Sequence, residues 1–266
     1  MSNSVPSLSI LFMGISCAIA FLIPIGLLIY FRKKKGADLL PFFIGCAVML
    51  VFALILEAAV HRLVFSSAAG ARIQGNFWLY ALYGGFMAGL FEESGRFLAF
   101  KTVLKKYRDK DVNALMYGAG HGGFEAAALV GMAMISNILL SVQINGGNAG
   151  ALTGTLTGDM LAQVEAALRT LTETPSHQFL LSGVERIFAV TVQIALSVLV
   201  WFAAKKPGRL HLYPLAILIH FAIDAVTVIL SSLGVELLAV EGVIGLMAVL
   251  AALYAKRVWK QLGSRE

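Results

Sequence analysis

Residues 84–100 read GGFMAGLFEESGRFLAF: an apolar run of glycine, leucine, methionine and phenylalanine that carries Glu92, Glu93 and Arg96 in its second half. With the preceding FWLYALY (77–83) the run reaches a length that crosses a bilayer core of about 30 Å at 1.5 Å per residue. A helix that only had to sit in lipid would carry no charges. Each ionisable group at a helix centre costs roughly 2.5–3.5 kcal/mol on insertion scales. This one stretch therefore predicts a membrane span with a polar interior.

The rest of the chain agrees. Of its 266 residues, 59% are hydrophobic and 14% charged, against roughly 45–50% and about 25% for an average soluble protein. Those proportions exclude a disordered chain, a disulfide scaffold and a nucleic-acid-binding domain. Apolar runs recur at 8–31, 39–60, 77–100, 112–140, 180–203, 211–232 and 236–255. They predict an all-α, polytopic membrane protein of seven transmembrane helices, with residues 1–266 forming a single integral membrane domain. The opening MSNSVPSLS holds no Lys or Arg, so the first run reads as a retained helix, not a signal peptide. Cys17 and Cys46 lie inside apolar runs and read as small buried hydrophobes.

The net charge of +6 reports topology. Sixteen of the 21 Lys and Arg fall at 32–35, 101–110, 205–209 and 256–265; Arg62, Arg72, Arg169 and Arg186 fall on the other side, and Arg96 lies within a span. That asymmetry predicts an N-terminus outside and a cytoplasmic C-terminus. The bilayer is the expected partner, nucleic acid is not, and the expected location is a bacterial cytoplasmic membrane. One long connection, 141–179, falls outside. In it Met160, Leu161, Val164, Leu168 and Leu171 recur at helical spacing, which leaves open a short helix on the outer membrane surface or a flexible linker. Trp78, Tyr80, Tyr83, Trp201 and Trp259 fall near span ends and read as an aromatic belt.

Inside the spans the ionisable groups are concentrated. The third holds Glu92, Glu93 and Arg96; the fourth, NALMYGAGHGGFEAAALV, holds His121 and Glu125; the sixth, YPLAILIHFAIDAVTVIL, holds His220 and Asp224. Glu92 with Arg96, His121 with Glu125, and His220 with Asp224 are i, i+4 pairs, so each pair shares a helix face. Counted from the cytoplasmic ends, Glu92, His121 and His220 lie at one level, roughly 14–17 Å deep. Gly84, Gly85, Gly89, Gly95, Gly118, Gly120, Gly122 and Gly123 flank these positions, leaving room for a cavity or for close helix packing. Glu57 and His61 form another i, i+4 pair. It lies near the outer interface, where snorkelling accounts for it without a role in the site.

Carboxylates beside histidines at one depth point to activated water. One of Glu92 and Glu93, held ionised by Arg96, serves as general base. His121 and His220 donate to a developing oxyanion. Asp224 orients His220, and Glu125, in a supporting place, orients His121. A second reading takes Glu92, His121 and His220 as ligands of a catalytic zinc ion, although no HExxH is present. Both stay open, so the cofactor is either none or zinc.

The motifs Glu92-Glu93-x-x-Arg96, Tyr117-x-x-x-His121 and His220-x-x-x-Asp224 resemble those of the CPBP/PrsW superfamily of intramembrane proteases. Within it the best likeness is to the YhfC-type group, described as membrane peptidases or intramembrane metalloproteases. The resemblance covers residues of about 77–232. It implies peptide-bond hydrolysis within the membrane, Glu92 and Glu93 activating water and His121, His220 and Asp224 completing the site. The substrate it implies is a membrane-embedded or lipidated peptide or protein. Two departures bear on that substrate: two residues, not three, separate Glu93 from Arg96, and Tyr117 stands where phenylalanine is usual. Prenyl-protein processing is therefore not carried over. Two rival functions use the same charges: a non-catalytic scaffold of the same superfamily and a proton-coupled secondary transporter.

Overall fold

The computed structural model describes residues 4–148, 150, 153–154 and 156–263, and the regular elements among them are helical. In order they are α1 (Ser7–Lys35), α2 (Leu40–Phe65), α3 (Ala68–Gln74), α4 (Phe77–Lys101), α5 (Val112–Asn145), α6 (Gly158–Glu173), α7 (Ser176–Lys205), α8 (Leu212–Ser232) and α9 (Leu237–Leu262). The long helices match the seven expected runs, extended by a few residues at most ends. Six of them, α1, α2, α5, α7, α8 and α9, are long and apolar enough to cross a membrane. The remaining one, α4, has the length at 25 residues, but its glutamates, arginine and glycines dilute its apolar character.

Local chemistry sets several of the ends. Asn76 caps α4 by accepting from the backbone of Trp78 and Leu79 at 3.0 and 3.2 Å. Gly36, at φ +68°, turns the chain out of α1 in a conformation that side chains resist. Asp38, in the loop that follows, accepts from Asn113 and Lys110, each at 2.9 Å. The Asn113 hydrogen bond, with Lys110 beside it, holds the Asp38 carboxyl below its ordinary value against the opposing pull of burial. Asp111 receives Trp201 Nε1 at 2.9 Å and Lys205 Nζ at 2.5 Å, tying the end of α7 to the start of α5. Trp201 is fully buried. It does not belong to an aromatic belt, because a buried carboxylate takes its indole N–H, whereas Trp78 and Tyr80 are exposed as a belt requires.

The contacts group into two compact units. One comprises residues 1–22 and 126–186. Its core is Val5, Met13, Met134, Ile144, Leu171 and Phe179. Ser16 Oγ donates to the Phe179 carbonyl at 2.6 Å, and Asn145 clasps both backbone groups of Val5 at 2.7 and 3.0 Å. The amphipathic part of 141–179 folds here as α6, with Leu171 buried in this core and Leu168 packed against it. The helical reading of that segment holds, and Leu168 and Leu171 meet protein.

The other unit, residues 23–125 and 187–266, holds every candidate catalytic residue. Its core is built around Trp201, Phe100, Tyr117 and Phe202. Within it α4 lies against α8 through glycine. A Cβ on Gly85 would stand 2.7 Å from the Phe221 carbonyl oxygen, and one on Gly89 2.8 Å from that of Ile217. Gly85 and Gly89 therefore serve close packing. On another face, Gly95 of α4 meets Phe52 and Val48 of α2.

Candidate active site

The close approach of α4 and α8 brings Glu93 onto His220. His220 Nδ1 donates to Glu93 Oε1 at 2.9 Å. Arg96 Nη1 donates to both Glu93 oxygens, at 2.9 and 2.8 Å. Arg96 thus pairs with the carboxylate three residues back, which the helical spacing allowed as well as Glu92. Glu93 and Arg96 are both fully buried. Fixed by two partners, Glu93 is held in place and in turn fixes the His220 ring.

Glu92 is differently placed. Its Oε2 accepts from His121 Nε2 at 2.8 Å and from Gln193 Nε2 at 2.9 Å. Its Oε1 faces His220 Nε2 across 4.0 Å, without a direct hydrogen bond. Asp224 Oδ2 lies 3.5 Å from the same nitrogen. The orienting bond to His220 therefore comes from Glu93, and Asp224 stands at the more exposed edge of the ring. His121, fully buried beneath the Tyr117 ring, leaves its Nδ1 without a partner. Such orphans are rare in folded proteins.

Gln193, on α7, was not singled out from the sequence. Its Nε2 donates to Glu92 and to Glu125 Oε2, both at 2.9 Å, and its Oε1 accepts from Arg96 Nη2. Glu125 therefore supports Glu92 through Gln193 and does not hydrogen-bond His121. Gly122 makes the room: a Cβ there would lie 2.8 Å from Gln193 Cβ. The one signal in the sequence is an amide in an otherwise apolar span, which wants a partner in lipid.

Glu57 also departs from expectation. It is 7% exposed and closes a π-helical stretch of α2, Met49–Glu57, that packs on α4. Widened turns of this kind are frequent at functional sites. The Glu57 carboxylate feels the charges of Glu92, His220 and Asp224, so it shares their neighbourhood. Snorkelling does not explain a carboxylate buried to this extent.

The donor kinds, imidazole and carboxylate, are those zinc takes. Among the described residues, however, no group of three or more His, Cys, Asp or Glu is arranged to hold a metal ion. His121 Nε2 and His220 Nδ1 are engaged by glutamates.

No solved structure matches the chain. A membrane protein of Bacillus subtilis (strain 168), described as uncharacterized membrane protein YhfC, is 39% identical over 259 residues, covering 95% of this chain and 98% of its own. The profile of the YhfC intramembrane metalloprotease family matches residues 19–245, a span that takes in all the residues of the site. The chain is thus a membrane protein that belongs to the YhfC intramembrane metalloprotease family.

Proposed function

We propose that the protein is an intramembrane endopeptidase of the CPBP/PrsW superfamily, cutting membrane-embedded or lipidated peptides with water activated by Glu92. In this reading α4 is the seventh span, the N-terminus lies outside and the C-terminus in the cytoplasm, and the membrane is the bacterial cytoplasmic one. The observation that carries it is the pair formed by Glu92 Oε1 and His220 Nε2, buried and 4.0 Å apart with no bond between them. A water hydrogen-bonded to both at about 2.8 Å would sit between them at roughly a right angle.

The roles follow from what each group has left to give. Glu92, with Oε2 satisfied by His121 and Gln193, takes the water proton on Oε1 as general base. Glu93, fixed by Arg96, keeps His220 Nδ1 occupied and so turns Nε2 towards the reacting centre. When Nε2 carries a proton it donates to the oxyanion formed as water attacks the peptide carbonyl. His121 holds the base at its other oxygen, and Asp224 stands near enough to stabilise a charged His220 ring.

The family name implies a metal ion, whose ligands would be Glu92, His121 and His220. The residues as placed do not fit it as a preformed site, because His121 and Glu92 bond each other at 2.8 Å. The unpartnered His121 Nδ1 is a single donor and makes no site alone.

The test uses purified protein in nanodiscs and a panel of single-span and lipidated peptides, with zinc measured in every sample. Wild type cleaves. Glu92→Gln and His220→Ala each lower kcat by a factor on the order of 10²–10⁴, the range general acid–base groups supply. Variants that cleave like wild type would sink the assignment. One zinc per chain, lost with activity in His121→Ala, would replace the metal-free mechanism with ligation by these three residues.

A further inference from the structure

Gln193 enters the mechanism above only as one of two donors on Glu92 Oε2, and Glu125 has no part in it. Gln193 is 4% exposed and lies within α7, in the unit that holds the site. A glutamine side chain carries two N–H donors and one carbonyl oxygen. Here each is engaged. One N–H goes to Glu92 Oε2 and the other to Glu125 Oε2, both at 2.9 Å, and the oxygen receives Arg96 Nη2. Turned over, the amide would set its carbonyl against two carboxylates and its N–H groups against a guanidinium. One orientation remains. The stem is confined as well: a Cβ on Gly122 of α5 would lie 2.8 and 3.0 Å from Gln193 Cβ and Cγ, so the methylenes run close against the α5 backbone.

The effect is on Glu92. His121 reaches its Oε2 from α5, and Gln193 reaches the same oxygen from α7. A carboxylate held by a single hydrogen bond swings about that contact and presents either oxygen. Two donors on one oxygen, from two helices, stop the swing and leave Oε1 facing His220 Nε2 across 4.0 Å. Misplacing a reacting group by about 1 Å lowers a rate on the order of 10²-fold, so this restraint matters to the chemistry. Glu125, half-buried one turn beyond His121, takes the second N–H of the amide and keeps the amide from turning away.

We propose that Gln193 is the positioning residue of the general base, and that Glu125 acts on Glu92 through it; this rests on the peptidase reading. Neither residue touches the water or the substrate. Glu125 anchors the amide, the amide fixes Oε2 of Glu92, and Oε1 is thereby the oxygen that takes the water proton. The i, i+4 spacing of His121 and Glu125 serves one carboxylate twice, directly by imidazole and indirectly through Gln193.

The test measures kcat, KM and melting temperature in the nanodisc cleavage assay for Gln193→Met, Glu125→Ala, Glu125→Gln and the double variant Gln193→Met with Glu125→Ala. Methionine keeps an unbranched stem against Gly122 and removes the amide. Gln193→Met lowers kcat by a factor on the order of 10–10² with KM unchanged. Glu125→Ala lowers kcat several-fold alone and adds no loss in the Gln193→Met background, as expected of two residues acting along one path. Glu125→Gln, whose amide oxygen accepts the same bond, retains the wild-type kcat. An equal loss from Glu125→Ala in both backgrounds overturns the link. Gln193→Met with kcat unchanged, whether it melts lower or not, or with KM raised in place of kcat lowered, overturns the positioning role. If Gln193→Met does not fold, the Glu125 variants decide: Glu125→Ala and Glu125→Gln equal to each other, both active or both impaired, overturn the proposal. Each of these results, obtained with a wild type that cleaves, leaves the peptidase reading standing. No cleavage by wild type, with Glu92→Gln indistinguishable from it, overturns that reading and this proposal with it.

Discussion

Arg96 and Glu93 differ from most ion pairs in that neither has any exposure to solvent. Removing one partner of such a pair leaves a buried charge with nothing opposite it, at a cost of about 3–5 kcal/mol. Arg96→Ala is therefore expected to lower the melting temperature sharply, and Arg96→Ala with Glu93→Gln to recover much of the loss. Equal melting of the single and double variants would show that the charge of Glu93 is compensated elsewhere. The residues of this cluster were legible in the sequence because charge in an apolar run has a stated cost. Gln193 was not, since an amide bears no charge to flag it and has no ionisable neighbour one turn away. Glu57 was visible as a charge in an apolar run, but the burial the fold gives it cannot be read from composition.

At the scale of elements, glycine decides how near α4 comes to α8. Gly84 and Gly89 lie on the same helix, but a Cβ on Gly84 meets nothing within 4 Å, whereas one on Gly89 meets backbone. Gly84→Ala is expected to cleave and melt as wild type. Gly89→Ala forces α8 outward by some tenths of an ångström, carries His220 off Glu93, and lowers both activity and melting temperature. Similar behaviour of the two variants would show that the helices have slack at this contact. The sequence foretold the long helices closely, because length and hydropathy define a span. It gave no sign of α3, seven residues capped by Ser67, which is too short to show a helical period and has a glycine in its middle. Nor could it distinguish a glycine that frames a cavity from one that admits a backbone.

For the whole molecule, the sixteen cations gathered on one set of loops support an N-terminus outside. In a variant with Cys17 and Cys46 replaced by alanine, Ser66→Cys is expected to react with an impermeant maleimide on intact cells. Arg209→Cys should react only after the membrane is opened; the reverse pattern would invert the topology. In the proposed orientation Tyr83 and His61 face the outer side, and the loops holding Asp38 and Asp111 face the cytoplasm. The division into two compact units has no counterpart in the hydropathy pattern, because its boundaries at residues 22, 125 and 186 fall inside α1, α5 and α7, where no break in composition occurs.

Gln193 joins Glu92, Glu125 and Arg96, and its amide, like the guanidinium it meets, neither gains nor loses a proton at ordinary acidity. It holds its neighbours in place, yet behaves towards protons as an insulator. In the proposed mechanism a proton taken up by Glu92 then leaves by way of the substrate or the histidines, and not through Gln193. A residue with no acid–base chemistry of its own thus narrows the ways a proton can cross the proposed site.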